Sequence, residues 1–234
     1  MIEELKRHPE MGLLPPSEFL PQIQGSHLES ALGDWVIRTA LSQAAQWLQQ
    51  GLVLQIGVNI AASHMVQDDF CDKLAAALAA HPELPAASLE LEVLETAAFE
   101  DMNEAGAMLA RCQALGVRFA LDDFGTGYSS LTYLRKLPVD TLKIDQSFVR
   151  DMLSDADDRG IVESVIRLAG AFRREVIAEG VESMDIGAAL LHLGCYLVQG
   201  YGIAKPMPAA ALAGWSAQWQ QQALWRGLNT EPAN

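Results

Sequence analysis

Positive charge is scarce in this sequence. Its 234 residues include 16 lysines and arginines against 30 aspartates and glutamates, which gives a formal net charge of −14. Proteins bind nucleic-acid polymers mainly through lysines and arginines that neutralise phosphates. The charge balance therefore argues against a polymeric nucleic acid as a partner of this chain.

Cysteine is scarce as well, and long hydrophobic runs are absent. Cys71, Cys112 and Cys195 lie far apart and form no Cys-x-x-Cys pair, so neither a disulfide framework nor a zinc site is indicated. We expect all three to be reduced. No apolar run approaches the roughly 18 residues of a membrane span, and the N-terminus mixes acids with its bases, unlike a signal peptide. We therefore expect a cytoplasmic chain without a membrane span.

Apolar residues, by contrast, are plentiful. They make up 50% of the chain, which is enough for one large core, and the length suits a single (β/α)8 barrel. Segments with helical periodicity, the longest between Leu28 and Leu52 and another from Arg159 to Phe172, separate strand-like runs. The strand-like runs begin near Val53, Leu89, Val117, Asp140, Glu175 and Leu197. This alternation predicts an α/β fold with a parallel barrel sheet.

The stretch from Arg118 to Leu131 places two adjacent carboxylates, Asp122 and Asp123, at the carboxyl end of a predicted strand. Because adjacent strand residues point to opposite faces, we expect one carboxylate in the mouth of the barrel and the other at its rim. On its own, the pattern also fits an ordinary aspartate-rich turn. It is not a dinucleotide-binding motif, because Ser130 stands where that motif has its third glycine.

Other predicted strands also end in polar side chains. Asn59, Asp145 and Glu179 each stand at or just beyond the end of a strand, and Lys143 shares one strand face with Asp145. A strand lysine usually extends to solvent, but a lysine among carboxylates can position water or phosphate. Carboxyl ends of barrel strands are where such side chains meet.

Within the segment Leu89–Glu95, apolar and acidic residues alternate from Leu89 to Val93, so Glu90 and Glu92 share one face. That face is either exposed to solvent or turned to the lumen of a barrel. In the second case Glu92 reaches a metal at the carboxyl end of the strand. A set of oxygen ligands favours Mg²⁺ or Mn²⁺ over zinc.

The EAL-domain family, the cyclic-di-GMP phosphodiesterases of bacterial signalling, has a signature that this sequence resembles in two segments. They are Asp122–Leu131 (Asp-Asp-Phe-Gly-Thr-Gly-Tyr-Ser-Ser-Leu) and Leu137–Asp145 (Leu-Pro-Val-Asp-Thr-Leu-Lys-Ile-Asp). The resemblance extends from about His8 to Pro208. It implies a TIM-like (β/α)8 barrel and the metal-dependent hydrolysis of cyclic di-GMP to linear pGpG. Such a small phosphodiester is compatible with the acidic composition, because bound cations reverse the sign of an acidic pocket.

The resemblance also implies a two-metal site for Mg²⁺ or Mn²⁺ and the residues around it. One cation would be held by Asn59, Glu92 and Asp122, and the second by Asp122, Asp123 and Glu179. The implied catalytic residues are Lys143, which would orient the attacking water, together with Asp123, Gln199 and Glu95. Glu95 would shape the loop after Phe124. The implied substrate-binding residues are Arg7, Asp145 and Gln199.

The N-terminus departs from the family pattern. The family has Glu-Ala-Leu-x-Arg-Trp-x-His-Pro on an early strand, and Glu3 to Arg7 fits this only if two residues are deleted before His8. Glu3 would then be a further metal ligand and Arg7 a phosphate-binding residue; otherwise both are polar residues of a frayed terminus. The family has another strand upstream, so we expect a barrel that is incomplete at its N-terminus. The segment that begins at Gly12 predicts a loop ending in Pro15-Pro16.

Two functions fit this pattern. The motifs between Asn59 and Gln199 favour an active phosphodiesterase. The alternative is a catalytically impaired EAL domain that binds cyclic di-GMP as a receptor or regulatory module, because one lost metal ligand or arginine can abolish turnover and leave a pocket.

We treat residues 1–234 as a single EAL domain, with residues 1–10 as a divergent first strand and residues 209–234 as a helical tail. The tail contains Trp215, Trp219 and Trp225. The first two are four residues apart, so we expect them to pack on the barrel or on a partner. A homodimer is one possible partner, and further signalling domains upstream are another possibility. A third function, a purely structural partner module, is supported by this tail alone.

Overall fold

A computed structural model of the chain describes residues 6–8, 12–95, 102–127 and 134–219. Within these ranges the strands are β1 Lys6–His8, β2 Gly12–Leu14, β3 Ile56–Asn59, β4 Leu89–Leu94, β5 Arg118–Phe124, β6 Thr141–Ile144, β7 Glu175–Ala178 and β8 Leu197–Val198. The α-helices are α1 Pro16–Ile23, α2 His27–Gln49, α3 Ala62–Met65, α4 Phe70–Ala79, α5 Met102–Gln113, α6 Gln146–Asp151, α7 Ala156–Phe172, α8 Met184–His192 and α9 Leu212–Trp219.

The chain divides into two compact units, of which the first comprises Ile2–Asp122 and Gly127–Asp140. Its strands β3, β4 and β5 pair in parallel, with Val58 opposite Leu91 and Leu91 opposite Phe119. These three side chains are at most 4% exposed. Burying one such side chain contributes about 1.5–3 kcal/mol, so this apolar face of the sheet is a main source of the unit's stability.

Helix α2 follows from its sequence in a direct way. The side chain of Ser26 accepts a hydrogen bond from the Leu28 N–H, which satisfies a donor that the first turn leaves free. Gly51 follows the helix with a φ of 81°, a conformation that glycine adopts without strain. The side chains buried at helical spacing include Ile37, Leu41, Ala44 and Ala45. The long helix predicted in this region is confirmed.

The second unit consists mainly of Asp123–Thr126 and Thr141–Asn234. Its strands β6, β7 and β8 pair in parallel. Asp155 caps α7, because its side chain accepts hydrogen bonds from the N–H groups of Asp157 and Asp158. Helix α7 therefore begins at Ala156, before the predicted start at Arg159.

Strand β5 belongs to both units, because the division falls between Asp122 and Asp123. The strand order in the sheet is β3-β4-β5-β6-β7-β8, which is also the order along the chain. All six predicted strands are present. The largest difference is at the first of them, which begins at Ile56 and was predicted to begin near Val53. Parallel strands in chain order with helices between them are the expected βα layout.

The N-terminal segment differs from its prediction. Strands β1 and β2 form a separate two-stranded antiparallel sheet, in which Arg7 pairs with Leu13. Gly12–Leu14 was predicted to be a loop, but it is the second strand of this hairpin. Glu3 lies outside the described residues, so the hairpin covers only part of the strand predicted near it.

Two further predictions concern the membrane and the tail. None of the described helices is long and apolar enough to cross a membrane. In α9 the rings of Trp215 and Trp219 stack on each other, with centroids 5.4 Å apart and planes at 22°. Trp225 lies outside the described residues. The stacking accounts for the spacing of the first two tryptophans.

Candidate active site

Three oxygen-bearing side chains share one face of the first unit's sheet, at the carboxyl ends of β3, β4 and β5. Asn59 is in register with Glu92, and Glu92 is in register with Ala120. Residues in register on parallel strands share a face, and so do residues two apart on one strand. Asp122, two residues after Ala120, therefore joins Asn59 and Glu92. These are three of the ligands that the sequence predicts for a metal.

An ion pair lies on the same face, one step towards the amino ends of the strands. The Nε of Arg118 is 3.4 Å from an oxygen of Glu90, and the two residues are in register. Glu90 is only 4% exposed. The interpretation of this face as an ordinary solvent-exposed one is therefore wrong. A buried carboxylate needs a partner, and Arg118 supplies it.

Gly57 provides space for Glu92. It lies on β3, two residues before Asn59 and on the same face. A Cβ atom at this position would overlap Oε1 of Glu92 and lie 2.9 Å from its Cδ. The carboxylate of Glu92 thus occupies volume that exists only because residue 57 has no side chain. No pattern in the sequence indicated a role for this glycine.

Glu95 is placed in a similar way, against the turn that follows Phe124. Its side chain is 1% exposed. A Cβ atom on Gly127 would lie 2.8 Å from Oε1 of Glu95 and 3.1 Å from its Cδ. The contact is consistent with the prediction that Glu95 shapes this loop. Residues 128–133 lie outside the described residues.

The second unit contributes a buried ion pair. The Nζ of Lys143 on β6 is 2.7 Å from Oε1 of Glu179. The side chains are 3% and 16% exposed, respectively. Glu179 directly follows β7, and its N–H donates to the carbonyl of Ile144. Lys143 therefore does not extend to solvent; its ammonium group lies beside the carboxylate of Glu179, which favours the second of the two predicted interpretations.

Asp145 begins the helix that follows β6. It accepts hydrogen bonds from the N–H and the hydroxyl of Ser147 at the start of α6. Burial raises the pKa of the Asp145 carboxyl, but hydrogen bonds, led by those from Ser147, outweigh this effect and hold the pKa below its ordinary value. Asp145 is therefore ionised at neutral pH.

Asp123 adopts a left-handed backbone conformation, with a φ of 55°. Among residues with a side chain, aspartate and asparagine tolerate this region best. The placement of Asp122 and Asp123 on opposite faces stays a prediction. The left-handed backbone of Asp123 interrupts the regular extended conformation of β5. The sequence offered no signal for this, because aspartate is also common in ordinary turns.

The carboxylates of Asp122, Asp123 and Glu179 come together. One oxygen from each lies within 4.8 Å of the others, and Asp122 is 8% exposed. Several carboxylate oxygens at such distances are what Mg²⁺, Mn²⁺ or Ca²⁺ requires, whereas zinc sites usually contain nitrogen or sulfur. The residues present therefore fit a hard divalent cation.

The remaining predicted residues are placed as follows. Gln199 follows β8; its N–H donates to the carbonyl of Ala178, and its carbonyl accepts from the N–H of Val181. Its backbone thereby lies beside the end of β7, which carries Glu179. Arg7 is described by its backbone pairing in β1 alone, and Glu3 lies outside the described residues.

Comparison with known families gives a direct result. The model of a family described as the EAL domain matches residues 6–206. This chain belongs to the EAL domain family. The resemblance inferred from the two sequence motifs is thus confirmed.

Relatives of this EAL domain are longer proteins. It is 40% identical over 209 residues to the cyclic di-GMP phosphodiesterase PA2567 of Pseudomonas aeruginosa, covering 89% of this chain and 35% of that protein. It is 36% identical over 215 residues to the cyclic di-GMP phosphodiesterase PdeR of Escherichia coli, covering 92% of this chain and 32% of that protein. The chain thus spans about a third of the length of these relatives.

Solved structures show the same fold. A c-di-GMP complex of the PaMucR phosphodiesterase matches with a TM-score of 0.84 and 37% identity, over 89% of this chain and 84% of that one. The FimX EAL domain from Pseudomonas aeruginosa, bound to c-di-GMP, matches with a TM-score of 0.79 and 25% identity, over 86% and 81%. The predicted TIM-like barrel of the EAL type is therefore the fold of this chain, and the described residues supply six of its parallel strands.

Proposed function

We propose that this EAL domain hydrolyses one phosphodiester of cyclic di-GMP, giving linear pGpG, as a step in bacterial second-messenger signalling. The observation that carries the proposal is the group of carboxylates Asp122, Asp123 and Glu179, with oxygens within 4.8 Å of one another. Relatives whose names include cyclic di-GMP phosphodiesterase support the choice of substrate. So does the solved c-di-GMP complex of a similar phosphodiesterase.

The carboxylates would serve to hold divalent cations, Mg²⁺ or Mn²⁺. In this assignment Asn59, Glu92 and Asp122 hold one ion, Asp122, Asp123 and Glu179 hold a second, and Glu3 is a further ligand of the first. Bound in this way, such ions would lower the pKa of a coordinated water and offset the charge of the phosphoryl oxygens. Each assigned ligand presents oxygen, which suits both metals and disfavours zinc.

Other residues of the chain would position the water and the substrate. Lys143 is held in place by its 2.7 Å contact with Glu179, so its ammonium group can donate a hydrogen bond to the attacking water or to a phosphate oxygen. Asp123 would accept the proton that the water loses. Gln199 would orient the water through its side-chain amide.

Asp145, Arg7 and Glu95 would act around these groups. The ionised carboxylate of Asp145 can accept hydrogen bonds from the substrate, although Ser147 already engages one of its oxygens. Arg7 would bind a phosphate. Glu95, packed against Gly127, would fix the loop that leads away from Asp122 and Asp123.

The departure of the N-terminus from the family sequence favours a second candidate, a receptor that binds cyclic di-GMP without cutting it. Met1 occupies the position of the family's metal-ligating glutamate unless two residues are deleted before His8. Loss of that ligand would lower turnover more than binding, because cations act mainly on the transition state.

A turnover assay beside a binding titration separates the two candidates. Purified chain is incubated with cyclic di-GMP and Mg²⁺ or Mn²⁺, and pGpG is quantified. Asp122→Asn should lower turnover more than about 100-fold, because an amide cannot supply the missing negative charge. Asp157→Asn, which removes an exposed carboxylate of α7, is the matched control and should not change turnover.

The outcomes are distinct. Turnover of Asp122→Asn within about tenfold of the parent chain, worth only ~1.4 kcal/mol in the barrier, would contradict the metal assignment. Binding of cyclic di-GMP by the parent chain without any pGpG would favour the receptor. If the parent chain neither binds nor cleaves cyclic di-GMP, the remaining function is that of a structural module.

The setting of the domain is part of the proposal. We place its action in the cytoplasm, where a nucleotide second messenger is made and read, and treat residues 1–234 as one domain of a signalling protein. Relatives about three times as long support further domains in the native protein. We propose that the tail binds a second copy of the chain to form a homodimer. Size-exclusion chromatography of the chain with and without residues 209–234 tests this.

A further inference from the structure

Two of the three thiols face each other inside the first unit. Cys71 lies on α4 and Cys112 on α5, and their Sγ atoms are 2.9 Å apart. The two residues are 6% and 0% exposed, respectively, and α4 and α5 are in contact. A disulfide bond is about 2.05 Å long. A further approach of about 1 Å would therefore bring the two sulfur atoms to bonding distance.

We propose that Cys71 and Cys112 form an intramolecular disulfide that joins α4 to α5 when the chain folds in the presence of an oxidant. The sequence spacing gave no indication of it, because 41 positions separate the two residues and neither belongs to a Cys-x-x-Cys pair. The inference is independent of the proposed phosphodiesterase activity. It concerns a covalent modification of two helices of the first unit.

The oxidant that the proposal requires is a small disulfide such as glutathione disulfide. One cysteine thiolate attacks a sulfur of this compound, forming a mixed disulfide and releasing one glutathione thiolate. The second cysteine thiolate then attacks the protein sulfur and releases the other. In total two S–H bonds of the protein are lost and one S–S bond forms, while glutathione disulfide takes up two electrons and two protons.

Cys195 differs from this pair in its surroundings. It belongs to the second unit, and its thiol donates hydrogen bonds to the carbonyls of Leu197 and Val176 at 3.3 and 3.8 Å. Burial raises the pKa of the Cys195 thiol to about 11, although backbone hydrogen bonds oppose the shift. The thiol of Cys195 is thus hydrogen-bonded to backbone carbonyls and not to another thiol among the described residues. It serves as an internal reference for the pair.

The burial of the pair decides when the bond can form. Burial, followed by the hydrogen bond with Cys71, raises the pKa of the Cys112 thiol well above its ordinary value. Only the thiolate attacks a disulfide, and an oxidant must also reach the sulfur. The bond should therefore form while the chain folds, and only slowly once the chain is folded. After it has formed, burial also protects it from reductants.

The test is oxidative refolding. Urea-unfolded, fully reduced protein is refolded in a buffer of reduced and oxidised glutathione, then trapped with a thiol-alkylating reagent and analysed by intact mass and peptide mapping. We expect free thiols to fall from the three of the reduced chain to Cys195 alone, with one peptide pair that joins Cys71 to Cys112. The thermal midpoint should rise by about 5–10 °C over that of the reduced protein.

Matched variants assign the bond. Cys195→Ser should still form it, whereas Cys112→Ser and Cys71→Ser should each keep two free thiols or carry a glutathione adduct. The wild-type mass decides the question even if a variant fails to fold. Three alkylated thiols after oxidative refolding, or a crosslink that contains Cys195, would overturn the proposal.

Discussion

Replacing Gly57 with alanine tests whether the space beside this glycine positions Glu92. The added Cβ would overlap Oε1 of Glu92 and lie 2.9 Å from its Cδ, whereas favourable carbon contacts begin at about 3.5 Å. The carboxylate must therefore move by about 1 Å or more. Because the displaced atoms end a flexible side chain, we expect the free energy of unfolding to change by less than about 1 kcal/mol.

The effect on function should be much larger than the effect on stability. Displacing a positioned group by about 1 Å can cost up to roughly 100-fold in rate, and altering the support of a metal ligand costs about 10–100-fold in affinity or activity. We therefore expect kcat/KM for cyclic di-GMP to fall about 10–100-fold, or about 1.4–2.7 kcal/mol. The Mg²⁺ concentration for half-maximal turnover should rise, and calorimetric Mg²⁺ binding should weaken in parallel.

Two controls make the result specific. Gly160→Ala places a Cβ where nothing lies within 4 Å, so it should stabilise α7 by about 0.5–1 kcal/mol and leave turnover unchanged. The second control, Glu92→Asp, shortens the side chain that the new Cβ of residue 57 would overlap. If the reasoning is right, Gly57→Ala costs little in the Glu92→Asp background. Equal losses in both backgrounds, or unchanged turnover of Gly57→Ala at limiting Mg²⁺, would refute it.

Two further expectations concern the second unit. Lys143→Ala should lower turnover far more than affinity for cyclic di-GMP, because a water-positioning group acts mainly in the transition state; equal losses in the two measurements would make Lys143 a phosphate anchor. Asp123→Gly should keep its free energy of unfolding within about 1 kcal/mol of the parent chain, because glycine adopts the φ of 55° without strain, while turnover falls more than about 100-fold. A large loss of stability in urea unfolding would show that Asp123 is mainly structural.

The strands and long helices could be predicted because each has a local cause in the sequence. The alternation from Leu89 to Val93 places Leu89, Leu91 and Val93 on one face and Glu90 and Glu92 on the other, and β4 has this arrangement. Helix α2 has apolar spacing and a glycine stop. The start of α7 was missed because the cap at Asp155 lies before the apolar pattern begins. The hairpin of β1 and β2 was missed in part because Gly12–Leu14 is too short to show alternation.

The site was predictable as a set of residue types and much less so as a geometry. Periodicity and the EAL motifs indicated that Asp122, Asp123 and Glu179 belong together, and their oxygens lie within 4.8 Å of one another. The left-handed conformation of Asp123 and the 2.7 Å contact of Lys143 with Glu179 depend on the folded chain. No local pattern encodes them, because the same residues in an isolated turn would adopt many conformations.

Glycine shows this limit most clearly. A sequence indicates where a side chain is missing, and the usual inference is a turn, as for the two glycines after Phe124. Gly125 has the positive φ of 105° that this inference requires. Gly127 and Gly57 instead leave room for a glutamate side chain. Gly57 makes room for Glu92 of β4, and Gly127 makes room for Glu95, which follows β4. Which neighbour uses the space depends on strand register, so the role of such a glycine in placing a carboxylate becomes visible only when the strands are paired.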